Sequence, residues 1–230
     1  MFNNINTRSV TFNIIVINVL FFLATLAHPQ LIDLLSLHYF FDTHHFDGSS
    51  VGFQPYQILT HMFMHGGFTH ILFNMWGLFM FGSILEQVWG PRRFFIFYFI
   101  TGFGAVLLHM LVQVFMVHQA TGTIDPTIAM LEANHHAAGV YFSQTLGASG
   151  AIFGIATGFA TLFPNTELMI IPIPVPIKAK FLIPIYIGVE LFLGVSSFQG
   201  DNVAHFAHLG GALFGFILVK LWNHNRHTLY

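Results

Sequence analysis

The chain is predicted to be an all-α membrane protein: a bundle of six transmembrane helices, both termini cytoplasmic, with a short fourth helix that starts at a serine. Composition, the length of the apolar runs and the placement of cations predict it. Hydrophobic residues make up 55% of the 230 and charged residues only 7%, with 29 Phe, and mean hydropathy is +0.70. Ordinary soluble domains carry about 25% charged residues, so most of this chain is built to face lipid.

Apolar runs of spanning length, roughly 18 to 25 residues for a hydrocarbon core of about 30 Å, occur at about 10–27, 68–87, 94–117, 146–163, 181–199 and 203–222. The first is read as a span, because it is long and lacks a good small-residue cleavage site for a signal peptide. All seven cations, Arg8, Arg92, Arg93, Lys178, Lys180, Lys220 and Arg226, fall in the amino-terminal tail, loops two and four and the carboxy-terminal end. The opposite loops carry Asp33, Asp42, Asp47, Asp125, Glu132 and Asp201 and no Lys or Arg. Cation excess marks the cytoplasmic side, so residues 1–230 are expected to form one membrane domain with short cytoplasmic tails at 1–9 and 223–230. A bacterial plasma membrane is the expected location. Nothing in this charge pattern fits a nucleic-acid partner, and zero cysteines exclude a disulfide framework, a thiolate metal site and a cysteine nucleophile.

Loop one, about 28–67, contains Leu31-Ile32-Asp33-Leu34-Leu35-Ser36-Leu37 and Tyr39-Phe40-Phe41, which reads as an interfacial helix. Loop four alternates Pro172, Pro174 and Pro176; proline lacks the amide proton a helix needs, so an extended connector is expected. From Ser149 to Pro164 is about 15 residues, or roughly 22 Å of helix. A helix that short does not cross the whole core, so its serine end lies below the outer surface and loop three dips in to meet it. Such a dip is tolerated only beside protein or a watery cavity.

The chemistry centres on Gly147-Ala148-Ser149-Gly150 and Ala207-His208. Serine is a weak nucleophile until a base takes its proton, and His205 and His208 are the candidate bases near the outer ends of the late spans. His208 is preferred because it flanks Gly211 and Gly215, a groove that a stripe at Gly150, Gly154 and Gly158 can enter. In span two, His70 and Asn74 are four apart and share a helix face. With the Ser149 amide at a helix start, they form a set of donors able to meet an oxyanion. Glu190 is the one carboxylate clearly inside a span and is expected to lie deeper, leaving a Ser-His pair oriented by packing, with Phe153 one turn after the serine positioned to stack on the imidazole. His61 and His65 are expected to bond the backbone of the dipping loop, since no His-Glu-x-x-His order or third ligand marks a metal site.

Taken together, His65, His70 and Asn74, the Gly147-Ala148-Ser149-Gly150 motif, Ala207-His208 with Gly211 and Gly215, and Glu86 followed by Gly90-Pro91-Arg92 resemble the rhomboid family of intramembrane serine proteases. The resemblance covers about residues 53–216. It implies Ser149 as nucleophile, His208 as base, and His70, Asn74 and the Ser149 amide as the oxyanion site, with His65, Gly147, Gly150, Phe153, Gly211 and Gly215 in support. It also implies single-span transmembrane proteins as substrates within the lipid bilayer, cut by water without metal, ATP or other cofactor, at a site opening to the extracytoplasmic side. Two departures stand out: loop one lacks the Trp-Arg pair many members carry, and Phe153 occupies a position where tyrosine is common.

Rival classes fit less well. An aspartyl intramembrane protease needs two acids in spans, a metalloprotease needs the zinc motif, and a transporter would carry matched broken helices. A catalytically inactive relative that binds or escorts membrane proteins is the remaining alternative; it has no need to keep Ser149 and His208 together.

Overall fold

The computed structural model describes residues 9–42, 52–170, 173–195 and 202–224. Arg8, His44, His45, Asp47, Pro172, Asp201, Arg226 and His227 lie outside them. Among the described residues, four helices are long and apolar enough to cross a membrane: α1 (Val10–Ala27), the composite Phe68–Trp89, α6 (Pro91–Thr121) and Ala204–Asn223 within α11 (Asn202–His224). Two shorter apolar helices pack among them, α9 (Ser149–Leu162) and α10 (Ala179–Val195). The outer faces of the long helices present Leu20, Leu23, Leu26, Leu111, Phe115 and Leu221, as expected of surfaces solvated by lipid.

The loops are structured too. After α1 come α2 (Gln30–Leu35) and, further along the chain, the single turn α3 (Gln57–Thr60), continued by a 3-10 turn at His61–Phe63. The composite second span is α4 (Phe68–Gly77), a π turn at Leu78–Gly82 and α5 (Ser83–Trp89). Loop three holds α7 (Ile128–Ala133) and α8 (His135–Tyr141), with His135 and His136 exposed. Loop four is extended, as its prolines require, but it folds back as an antiparallel hairpin of β1 (Glu167–Ile170) and β2 (Ile173–Lys178). The alternation of prolines excluded helix; it held no signal for strand pairing.

Loop one also differs from expectation. The α2 helix forms, but the segment after it is an integral part of the protein: Ser36, Leu37, His38 and Tyr39 are buried. Leu37 exchanges both backbone hydrogen bonds with Thr145, each 2.9 Å. Loops one and three are thereby tied together just before the serine motif.

The centre of the bundle is α9. Its apolar residues are buried nearly all round, from Gly150 and Ala151 through Phe153, Ile155, Phe159 and Ala160, the signature of a helix enclosed by protein on every side. Lipid tails are as apolar as leucine, so helices in membranes associate through close packing of small residues, and that is how α9 and α11 meet. A Cβ at Gly211 would collide with the Gly150 carbonyl, and one at Gly215 would stand 2.5 Å from the Gly154 oxygen. Gly158, expected in the same seam, instead faces Phe97 and Leu85. Below it, Leu78, Leu85, Phe94, Phe97, Tyr98 and Ile155 form the main core.

The start of α1 is held by Glu86. Its carboxylate accepts hydrogen bonds from Val10 N at 2.7 Å, Thr11 N at 2.9 Å and Ser9 Oγ at 2.8 Å. A helix start leaves amides without intrahelical partners, and a buried carboxylate satisfies them with a charge that suits the helix dipole.

Candidate active site

Ser149 is the first residue of α9. The backbone that brings it there is set by Gly147, at φ +120°, a conformation glycine adopts at little cost. Any Cβ there would stand 2.8 Å from His70 Nε2. The Gly147 amide donates to the His61 carbonyl at 2.9 Å, and Thr145 Oγ1 meets His109 Nε2 of α6 at 2.6 Å. Loop three is therefore clamped from two sides immediately before the serine.

The α9–α11 seam then delivers His208. His208 Nε2 lies 2.8 Å from Ser149 Oγ, and the Phe153 ring stacks on the imidazole with centroids 4.3 Å apart and planes at 7°. Tyr186 of α10 backs Phe153, centroids 5.1 Å apart; no sequence signal pointed to it. The close approach of Gly150 to Gly211 fixes the relative height of Ser149 and His208, because their side chains lie within one turn of that contact.

Glu190 corrects the expectation of an unassisted pair. Its Oε2 accepts from His208 Nδ1 at 2.8 Å and from His205 Nδ1 at 2.6 Å. The expected difference in depth does not hold, since Glu190 Oε2 and the His208 ring of α11 stand in hydrogen-bond contact. With Glu190 ionised, both imidazoles donate through Nδ1–H and each retains a lone pair at Nε2. His208 Nε2 then accepts the hydrogen bond of the Ser149 hydroxyl.

A cavity of about 330 Å³ lies over this pair, lined by His70, Gln144, Gly147, Ser149, Ala204 and His208 among others. The Gly66 amide donates to His70 Nδ1 at 3.3 Å, which places the ring proton on Nε2, facing the Gly147–Ser149 corner. Asn74 does not line the cavity. Its Nδ2 donates instead to the His70 carbonyl, 2.9 Å away on its own helix. His65 packs against His70 with centroids 5.0 Å apart, is buried, and has no hydrogen-bond partner for either ring nitrogen among the described residues. The expected ring bonds to the dipping loop are not seen among the described residues: His61 Nδ1 donates to the Gln57 carbonyl of its own segment at 2.8 Å, and it is the His61 backbone carbonyl that accepts from the Gly147 amide. Both rings lie in the segment before the second span, and burial pushes each down to about 4, His70 adding to the effect at His65.

A serine hydroxyl, an imidazole held by a carboxylate and a ring N–H thus meet across one cavity at the start of a buried helix, inside an apolar helical bundle. The family model for the rhomboid domain matches residues 52–223, so the chain belongs to the rhomboid family and is an integral, multi-pass membrane protein. It is similar to the rhomboid protease AarA of Providencia stuartii, 28% identical over 68% of this chain and 52% of that one. It is also similar to the putative rhomboid protease YdcA of Bacillus subtilis, 29% identical over 76% and 71%, and to RHOMBOID-like protein 4 of Arabidopsis thaliana, 27% identical over 73% and 34%. The aligned part spans between about a third and a half of the length of several of these relatives.

Proposed function

We propose that this chain is an intramembrane serine endopeptidase that cleaves single-span membrane proteins at or near the membrane. The observation that carries the proposal is the unbroken line Ser149 Oγ, His208 Nε2, His208 Nδ1, Glu190 Oε2, with 2.8 Å at each end. His208 takes the serine proton as Oγ attacks the scissile carbonyl; the imidazolium that forms is held by Glu190 and the stacked Phe153. The oxyanion meets His70 Nε2–H and the Ser149 amide, one of the free donors at the α9 start. His208 then gives its proton to the leaving amine, and water repeats the cycle in reverse on the acyl-enzyme. Asn74 supports His70 through that residue's carbonyl and is a further oxyanion donor only if its side chain turns toward the cavity.

The membrane disposition is proposed with it: six crossings, both termini cytoplasmic, the cavity opening to the other side. Support comes from the segregation of charge. Arg93 lies 6.0 Å from the Trp222 ring and Lys180 bonds Asn165, on the ends of helices away from the serine. Asp33 accepts from Gln144, which lines the cavity, and Asp42 accepts from Tyr141.

The test is cleavage of a single-span substrate by the purified protein in proteoliposomes. Cleavage is expected in wild type, to be unaffected by chelators, and to fall to background in Ser149→Ala and His208→Ala. Undiminished cleavage by Ser149→Ala would contradict the mechanism.

A further inference from the structure

We propose that Glu190, His205 and His208 also form a binding site for a divalent cation of the zinc class, and that an ion held there switches the protease off. One ligand atom from each of the three lies within 4.8 Å of the other two, and Glu190 Oε2 stands 2.6 Å from His205 Nδ1 and 2.8 Å from His208 Nδ1. Two nitrogens and one oxygen form the donor set of open zinc sites, in which solvent takes the fourth position. Imidazoles favour zinc, copper or nickel over magnesium and calcium. At metal–ligand distances of about 2.0–2.2 Å, tetrahedral donors stand about 3.4 Å apart. The present separations across the two hydrogen bonds are 2.6 and 2.8 Å, so an ion fits after ring shifts of under about 1 Å. The two imidazoles are 18% and 20% accessible, and the carboxylate, at 7%, is buried behind them. An ion can therefore reach the donors without unfolding either helix.

The switch follows from tautomer chemistry. In the metal-free protein each Nδ1 carries the proton it donates to Glu190, and His208 Nε2 is the lone pair that Ser149 needs. Coordination uses the Nδ1 lone pair, so the ring proton moves to Nε2 and the ring stays neutral. His208 then presents an N–H to Ser149 in place of an acceptor, and the base is gone although no ligand touches the serine. The ion's charge also opposes formation of an imidazolium beside it. His205, one turn above the base on α11 and without a role in the reaction cycle, is what turns a carboxylate–imidazole pair into a three-donor site.

Inhibition rests on the proposed base role of His208, whereas binding does not, and the experiment separates the two. Full-length Ser149→Ala in detergent is titrated with Co²⁺, read by its visible ligand-field absorption, with Zn²⁺ as competitor. A band that saturates at one equivalent and is displaced by Zn²⁺ is expected. His205→Asn removes a ligand while keeping a side-chain N–H for Glu190, and should weaken Co²⁺ binding by at least the roughly 10- to 100-fold that loss of even a supporting group costs. In proteoliposomes, micromolar free Zn²⁺ should reduce wild-type cleavage at least about tenfold, reversibly with chelator, while Mg²⁺ does not. The Zn²⁺ midpoint of His205→Asn, measured against its own metal-free rate, should rise by the same factor as its Co²⁺ dissociation constant. Absence of a Co²⁺ band in Ser149→Ala, a test that needs no second variant to fold, would overturn the site. An unshifted Zn²⁺ midpoint in His205→Asn would overturn the switch. Co²⁺ binding by a wild-type protein that cleaves nothing would overturn the protease assignment and the switch and leave the site standing.

Discussion

Glu86 and Glu190 are both buried carboxylates in this bundle, 9% and 5% exposed, and each accepts several hydrogen bonds, yet their partners give them different work. Two of the three donors to Glu86 are backbone amides at the start of α1, which cannot change protonation state, and the third is the Ser9 hydroxyl. The donors to Glu190 are imidazoles, whose protons move within the range of physiological chemistry. A carboxylate that faces a helix start fastens the fold; the same group facing an imidazole sets which ring nitrogen is basic.

The comparison is broken or sharpened by substitutions at each place. The largest effect is expected at Glu190→Gln, which keeps the shape but no longer dictates the His208 tautomer. It should lower kcat about 10²- to 10⁴-fold, with KM and thermal stability in detergent little changed, by analogy with loss of the acid in serine protease triads. A kcat within threefold of wild type would make Glu190 a second fastener like Glu86.

Gly211→Ala tests how the base is delivered. Its Cβ would strike the Gly150 carbonyl, forcing α9 and α11 apart. Misplacement by about 1 Å can cost about 100-fold in rate, and overpacking about 1–3 kcal/mol in stability. Steady-state kinetics and unfolding of the same preparation should show both.

Glu86→Ala should show the reverse profile. Leaving buried amides without an acceptor costs about 1–3 kcal/mol each at most, so a loss of about 2–3 kcal/mol in unfolding is expected, with kcat of the folded fraction within a few-fold of wild type.

The smallest effect is a pH dependence at His61. Its ring is held down to about 4 by burial, below the ordinary value of about 6.5, so between those limits the unfolded chain binds more protons than the folded one. Stability must fall as pH drops from about 6.5 toward 4 and change no further below that. Between pH 7 and 5.5 the loss from this ring is about 1 kcal/mol, and His61→Gln should remove that share of the slope in unfolding measured at both pH values.

Much of the site was legible because its signals are local. The serine motif and the glycines of α9 and α11 repeat at helical spacing, so the pairing of Ser149 with His208 followed from two grooves that fit. His70 was legible as one face of α4, but the partner of the Asn74 amide was not, since spacing cannot say whether a side chain bonds its own helix or a cavity. Glu190 was misjudged for a different reason: which ring it meets depends on how α10 packs against α11, and an apolar run read by itself carries no mark of that contact. The hairpin of loop four and the pairing of Leu37 with Thr145 depend on contacts between distant segments, for which the chain has no periodic pattern.

The central claim is that the Glu190–His208 pair activates one hydroxyl. The most direct measurement is the rate at which a fluorophosphonate probe labels the protein, with the modified residue mapped by mass spectrometry. Labelling at Ser149 alone is predicted, absent in His208→Ala and at least about 100-fold slower in Glu190→Gln. Labelling elsewhere, or at Ser149 with an equal rate in all three proteins, would contradict it.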